Sequence, residues 1–160
     1  FYYLSPGPSR DQTMTGHALI AIIEFMSRYP HSEQIENFKT INTELTQRLH
    51  DKAYLNAYTY YKIGRYKSAI VSLKNALKQY PESSHREEIM YMIVDASYRF
   101  ANNSIANKQT DRYLSMLDSY LSFKEEFPES KYTKEVDRMA KHARDYLDRN
   151  KKDEDKDNNI

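Results

Sequence analysis

AYLNAYTYYKIGRYKSAIVSLKNALKQYP, residues 53–81, holds two helical periods divided by one glycine and stopped by one proline. Ala57, Tyr60, Tyr66, Ala69, Leu73 and Ala76 mix small and large side chains at steps of three and four within each period. Small residues at such positions let two helices approach, and large ones fill the groove opposite. Gly64 supplies the backbone freedom of a tight turn. Pro81 cannot continue a helix, and it pushes Tyr80 out of the α region. The stretch predicts a helix ending at about Lys62 that pairs with another over 66–80.

The closing punctuation recurs. Tyr29-Pro30-His31-Ser32, Tyr80-Pro81-Glu82-Ser83 and Phe127-Pro128-Glu129-Ser130 each end an apolar helical stretch, and each offers a Ser to satisfy the orphan N–H groups of the next helix. A motif returning after tens of residues marks stacked helix pairs. The fold class expected is all-α, an α-solenoid. The 53–81 unit resembles the tetratricopeptide (TPR) family at nearly every packing position, with Ala57 where Gly is commoner.

The spacing is wider than that family's repeat of about 34 residues. Pro30 and Pro81 lie 51 residues apart, and Pro81 and Pro128 lie 47 apart. The first excess is assigned to one long helix shared by two repeats, over 31–62, where Ile35, Phe38, Asn42, Leu45 and Leu49 keep helical steps and no Gly or Pro intervenes. At 1.5 Å per residue it would be roughly 45 Å long. The second excess is assigned to the polar stretch Asn102 to Gln109, read as a connection. The remaining helices are expected over 10–28, opened by a Ser9/Gln12 capping box; 86–101, opened by Ser84 and Glu87; 110–126; and 131–148, with Val136, Met139, Ala140, Ala143 and Leu147 buried. Residues 1–9 read as a connector, and 149–160 as a disordered charged tail.

Composition narrows the function classes. The 160 residues include 24 basic and 23 acidic side chains, a formal net charge of +1, so neither nucleic acid nor an anionic lipid surface is indicated as the main partner. Cys is absent, which excludes disulfides and thiolate metal sites. No apolar run approaches the roughly 18–20 residues of a membrane span. The chain begins at Phe1, and the short first repeat favours a piece of a longer protein.

Signatures of catalysis are missing: there is no GxGxxG, P-loop, GxSxG or HExxH. His17, His31, His50, His85 and His142 are scattered, none at metal-ligand spacing from another. Glu125 and Glu126 point about 100° apart on a helix and read as solvated surface. No catalytic residue, metal or cofactor is expected. Tyr54, Tyr58 and Tyr61 recur at helical spacing and read mainly as core. Ser68, Ser72, Asn75 and Gln79 form an uncharged polar stripe along the second helix of the pair. Such a row desolvates more cheaply than Lys or Glu, so it is a candidate protein interface, with Lys62 and Arg65 at the turn available for charge-assisted bonds.

The run Ser5-Pro6-x-Pro8, Asp11-Gln12-Thr13-x-Thr15 and Ala18-Leu19, followed by the closure at Pro30, resembles the BamD family, the lipoprotein component of the bacterial outer-membrane β-barrel assembly machinery. The run Tyr60-Tyr61-Lys62-x-Gly64-x-Tyr66-x-x-Ala69-Ile70 through Tyr80-Pro81 is similar to that family's best-marked repeat. The resemblance implies a non-catalytic, periplasmic, five-repeat scaffold, lipid-anchored to the outer membrane upstream of this chain. It implies docking to the POTRA domains of the barrel-inserting subunit, unfolded outer-membrane protein clients and other assembly subunits as partners. This sequence departs from the pattern in lacking the lipidated Cys and two earlier repeats, and in carrying the extra tail. Asp11, Gln12 and Thr13 are expected to act structurally, at the start of a helix. A rival class is a TPR peptide-binding adaptor or co-chaperone; Lys52 and Asn56 offer a superficial carboxylate clamp, with Asn56 two positions out of register.

Overall fold

A computed structural model describes residues 1–157, with side chains described through Lys151. Among the described residues there are six α-helices and no strand: α1 Thr13–Arg28, α2 Ile35–Lys62, α3 Tyr66–Gln79, α4 Arg86–Asn102, α5 Ala106–Glu126 and α6 Thr133–Asp157, after a 3-10 turn at Tyr2–Leu4. Each helix packs on the next, and the α2–α4 and α4–α6 contacts link alternate helices into a stack. This is an α-solenoid of TPR-like repeats.

The three closures are one structure made three times. Tyr29, Tyr80 and Phe127 take φ of −129, −133 and −129° and ψ of 60, 72 and 65°. Each donates its N–H four residues back, to Phe25, Ala76 and Phe123, as the last bond of its helix. The N–H groups of Ser32, Ser83 and Ser130 then donate to the aromatic residue's carbonyl at 3.1, 3.1 and 3.2 Å. The serine hydroxyls accept from the N–H groups of Gln34, His85 and Tyr132 at 3.3, 3.2 and 3.0 Å. Each Ser thus satisfies an orphan donor at the head of the following helix. Ser84, expected to open α4, instead accepts from Gln47 on α2 at 3.2 Å.

α2 runs 28 residues without a break, roughly 42 Å. Its first half packs on α1 around Ala18, Ile22 and Leu45; its second half joins α3 and α4 around Ala57, Ala69, Leu73, Ile89 and Met92. α4 is shared again, because Met90, Val94 and Ala101 face a third cluster with Tyr113, Met116, Phe123, Val136, Met139 and Ala143. Nine residues of α4 are buried, so it is the central helix of the stack.

Several boundaries differ from those read in the sequence. The connection before α5 is only Asn103 to Ile105, since α5 starts at Ala106, and Arg112 reaches back to bond Ser104 and stack on Phe100 at 3.9 Å. α6 continues as far as Asp157, so the expected disordered tail is helical over 149–157; no Gly or Pro follows Pro128 to stop it. The rest of that expectation, 158–160, lies outside the described residues. Ser9 does not cap α1. Gln12 is the N-cap residue, the Asp11 carboxylate accepts from the Thr13 N–H at 3.1 Å, and the Gln12 amide donates to the Gly7 and Arg10 carbonyls. The buried Thr15 hydroxyl donates to Gln12 Oε1 at 2.7 Å and pairs with Ser5 Oγ at 2.6 Å. The 1–9 segment is therefore pinned rather than loose: Tyr2 donates to Glu44, Arg48 to Ser5, and Lys52 to the Ser9 carbonyl.

One buried charge joins three helices. Asp95 on α4 is 1% exposed, and its Oδ2 accepts from the Tyr61 hydroxyl of α2 at 2.5 Å and from Arg99 Nε at 2.7 Å. The Arg99 guanidinium lies over the Tyr66 ring of α3 at 5.9 Å. Burial first, and the Asp95 hydrogen bond second, push the Tyr61 phenol above its ordinary range and keep it a donor. At the other end of α4, Arg86 donates from Nη1 to the Pro81 carbonyl and grips the Glu126 carboxylate through Nε and Nη2, the latter to Oε2 at 2.8 Å. That grip holds the Glu126 carboxyl below its usual range.

Asp95→Ala should lower stability by roughly 1–3 kcal/mol in urea unfolding followed by helical circular dichroism, because it takes the acceptor from the half-buried Tyr61 hydroxyl and leaves a cavity in α4's buried face. A loss under about 0.5 kcal/mol would show that packing alone joins these helices. Glu126 has a folded pKa below its unfolded one, so its stabilisation is present above the ordinary Glu value and is lost as pH falls through the depressed one. Glu126→Gln should therefore flatten the decline of the unfolding midpoint between about pH 5 and 3. An unchanged acid slope would refute the link.

Candidate partner interface

The turn between α2 and α3 sets the geometry of the predicted stripe. Gly64 has φ of +75°, the Gly64 N–H donates to the Tyr61 carbonyl at 3.1 Å, and the Arg65 N–H donates to the Tyr60 carbonyl at 3.0 Å. These paired bonds end α2 with its last carbonyls satisfied and reverse the chain within three residues. A Cβ on Gly64 would find its nearest heavy atoms, in the Tyr66 ring, 3.9 Å away. Backbone conformation rather than space requires glycine here.

Along α3, Ala69, Leu73 and Ala76 point into the core, which leaves the 68/72/75/79 row outside. Ser68, Ser72 and Asn75 meet Tyr60, Lys67 and Val71 around one shallow basin. Tyr60 is 44% exposed and Val71 is 55% exposed. Tyr60 is thus not the core residue its position suggested but the aromatic wall of this basin. Arg65 lies in an adjoining hollow with Ser68, Phe100 and Asn103. Lys62 and Gln79 stand apart: the Lys62 ammonium is 5.7 Å from the centre of the Tyr58 ring, and the Gln79 amide donates to the Tyr80 hydroxyl at 3.0 Å. The surface combines an exposed aromatic, an exposed aliphatic and uncharged polar groups, the mixture that fills protein interfaces.

The stripe has a copy. Ser115, Ser119 and Ser122 on α5 stand 47 residues after Ser68, Ser72 and Asn75, the same offset that separates Pro81 from Pro128. They line a groove over α4 whose other wall is α3. The offset between the two closures was enough to find this second row; it was missed because the 102–109 stretch was read as an insertion within the repeat.

The other sequence candidates resolve into structure. Tyr54, Tyr58 and Tyr61 are half-buried against the α2–α4 core, with Tyr54 stacked on His85 at 4.1 Å. His85 Nε2 meets Asp51 Oδ1 at 2.7 Å, tying the start of α4 to α2. The His50 ring lies 4.7 Å from the Tyr80 ring, tilted by 44°, and burial lowers its pKa. Among the described residues, no three His, Asp or Glu side chains converge on a point where a metal ion would sit. Lys52 is engaged by the Ser9 carbonyl at 3.0 Å, while Asn56 is exposed one turn on; no carboxylate clamp is assembled there. No described helix is long and apolar enough to cross a membrane.

Stacked TPR-like helix pairs with surface rows of small polar and apolar groups define a helical-repeat protein. A family model described as outer membrane lipoprotein, YfiO, matches residues 45–152, and the chain belongs to that family. The match runs from the middle of α2 into α6, so it contains both polar rows; α1 and the Asp11-Gln12-Thr13 run lie before it. No curated protein matches the chain.

Gly64→Ala should cost about 1 kcal/mol through its positive φ, and Gly64→Asn less, since Asn tolerates the left-handed region. Thermal melts that rank Ala above Asn would contradict the strain argument.

Proposed function

We infer that this protein is a non-catalytic scaffold subunit of the outer-membrane β-barrel assembly machinery. It works at the periplasmic face of the membrane, docks to POTRA domains of the barrel-inserting subunit and assists the insertion of unfolded outer-membrane proteins alongside other assembly subunits. The supporting observation is the match to an outer membrane lipoprotein family across 45–152, which takes in the basin of Tyr60, Ser68, Val71, Ser72 and Asn75. Outer-membrane association belongs to the family; the assembly role, the POTRA contact and the clients are this reading's own.

The physics suits such a role. A repeat array holds its surface rigid because each helix from α2 to α6 is packed on at least two others, so a partner meets little ordering cost on the scaffold side. The basin offers apolar area from Tyr60 and Val71, hydroxyls and an amide for edge hydrogen bonds, and the Arg65 guanidinium for an acidic group on the partner. Binding spread over several side chains needs neither cofactor nor metal.

The test is co-purification with the periplasmic domains of the barrel-inserting subunit. Ser72→Glu and Arg65→Glu should each lower recovery by roughly tenfold, with helicity unchanged, because each places an unpaired negative charge in the contact. Recovery equal to wild type for both variants would leave the basin as solvated surface and end the docking claim.

A further inference from the structure

α3 is a ridge with two sides. The basin occupies one; on the other, α3 and α5 both pack on α4 without packing on each other, which leaves a groove along α4. Its floor is apolar, with Leu77, Met90 and Ile93 at one end and Ile70 and Phe100 at the other. Lys74 and Ser115 line both ends, so the groove is continuous. From Met90 to Phe100 it follows α4 for about 15 Å, three helical turns.

The two walls differ in charge. On the α3 side stand Lys67 and Lys74, both exposed and neither in an ion pair among the described residues. On the α5 side the hydroxyls of Ser115, Ser119 and Ser122 donate to the carbonyls of Asp111, Ser115 and Asp118 at 3.0, 3.1 and 3.0 Å. A wall whose donors are already satisfied by its own backbone can be covered without leaving a buried orphan. Its short side chains also let a partner backbone come close. Asp118 is the only acid among the described lining residues, and Arg112 adds one cation on the α5 side at the Phe100 end.

We propose that this groove is a second docking site, for an acidic amphipathic helix of a partner protein. The occupant's shape and charge both follow from the walls. Lys67 and Lys74 are seven residues apart, two turns and about 10.5 Å, so two acids seven apart on a helix laid along the groove meet both ammonium groups at once. An apolar stripe between those acids covers Leu77, Met90 and Ile93. The flank turned towards α5 carries small or uncharged residues, which tolerate Asp118 and the serine row. The groove shares Lys67 and Val71 with the edge of the basin, but its floor, Lys74 and the α5 serines are its own, and Ser72 and Asn75 belong to the basin alone.

The test uses the full chain and a fluorescent 18-residue peptide probe, helical, with a leucine stripe and Glu at i, i+7 and i+14 on one flank. Its anisotropy should rise saturably in the micromolar range. Lys67→Glu with Lys74→Glu should weaken binding at least tenfold, and Ser115→Trp, an exposed position that leaves the core untouched, should block the groove to a similar extent. A peptide with Lys in place of Glu should not bind, nor should a scrambled peptide of the same composition. Equal binding of the scrambled peptide, or affinity untouched by both the lysine pair and Ser115→Trp, would overturn the proposal. Ser72→Glu should leave the peptide's affinity at the wild-type value; loss of peptide binding in that variant would place the contact on the basin instead and also overturn it.

Discussion

Everything in this stack depends on the aromatic-proline-x-serine closure. Proline forces the residue before it out of helical geometry, and serine uses both its backbone and its hydroxyl to start the next helix, so the chain reverses direction through nearly the same angles at Tyr29, Tyr80 and Phe127. A repeated reversal gives a repeated packing of helix on helix. The polar rows on α3 and α5 therefore fall at equivalent places on the array, although they are 47 residues apart in the chain.

Within that frame α4 carries the load between repeats. Its two faces belong to different cores, one with α2 and α3 and one with α5 and α6. A helix buried on both sides has little room for charge, and Asp95 is held there by Tyr61 and Arg99, which both donate to Oδ2, while Oδ1 is buried without a hydrogen-bond partner. The pair at Arg86 and Glu126 does the same linking work nearer solvent, from the head of α4 to the end of α5. Rigidity of the surface grooves follows from these ties, because α3 and α5 are each held against α4 rather than against each other.

Much of this was legible beforehand. The closures, the Gly64 turn and the buried Ala57, Ala69, Leu73 and Ala76 could be read from spacing, because a helical period and a chain reversal are local properties of sequence. The stripe was also legible as a row, but its meaning was not. Tyr60 read as a packing residue because it falls at a packing position of the TPR pattern; its 44% exposure depends on which way α2 turns relative to α3. The start of α1 was placed at Asp11, Gln12 and Thr13, but the capping box was read too early, at Ser9: several polar residues could cap, and the Ser5–Thr15–Gln12 network that fixes the choice draws Arg48 from 43 residues further along the chain.

Sequence alone determined that the chain is a divergent helical repeat with reversals at three prolines, since proline stereochemistry, glycine freedom and apolar period act within a few residues. Tertiary structure decided which helix lies between two cores, which donors reach Asp95, and that α3 carries a basin on one side and a lysine-walled groove on the other. Those features depend on distances between side chains far apart in the chain, and only the packed stack sets such distances.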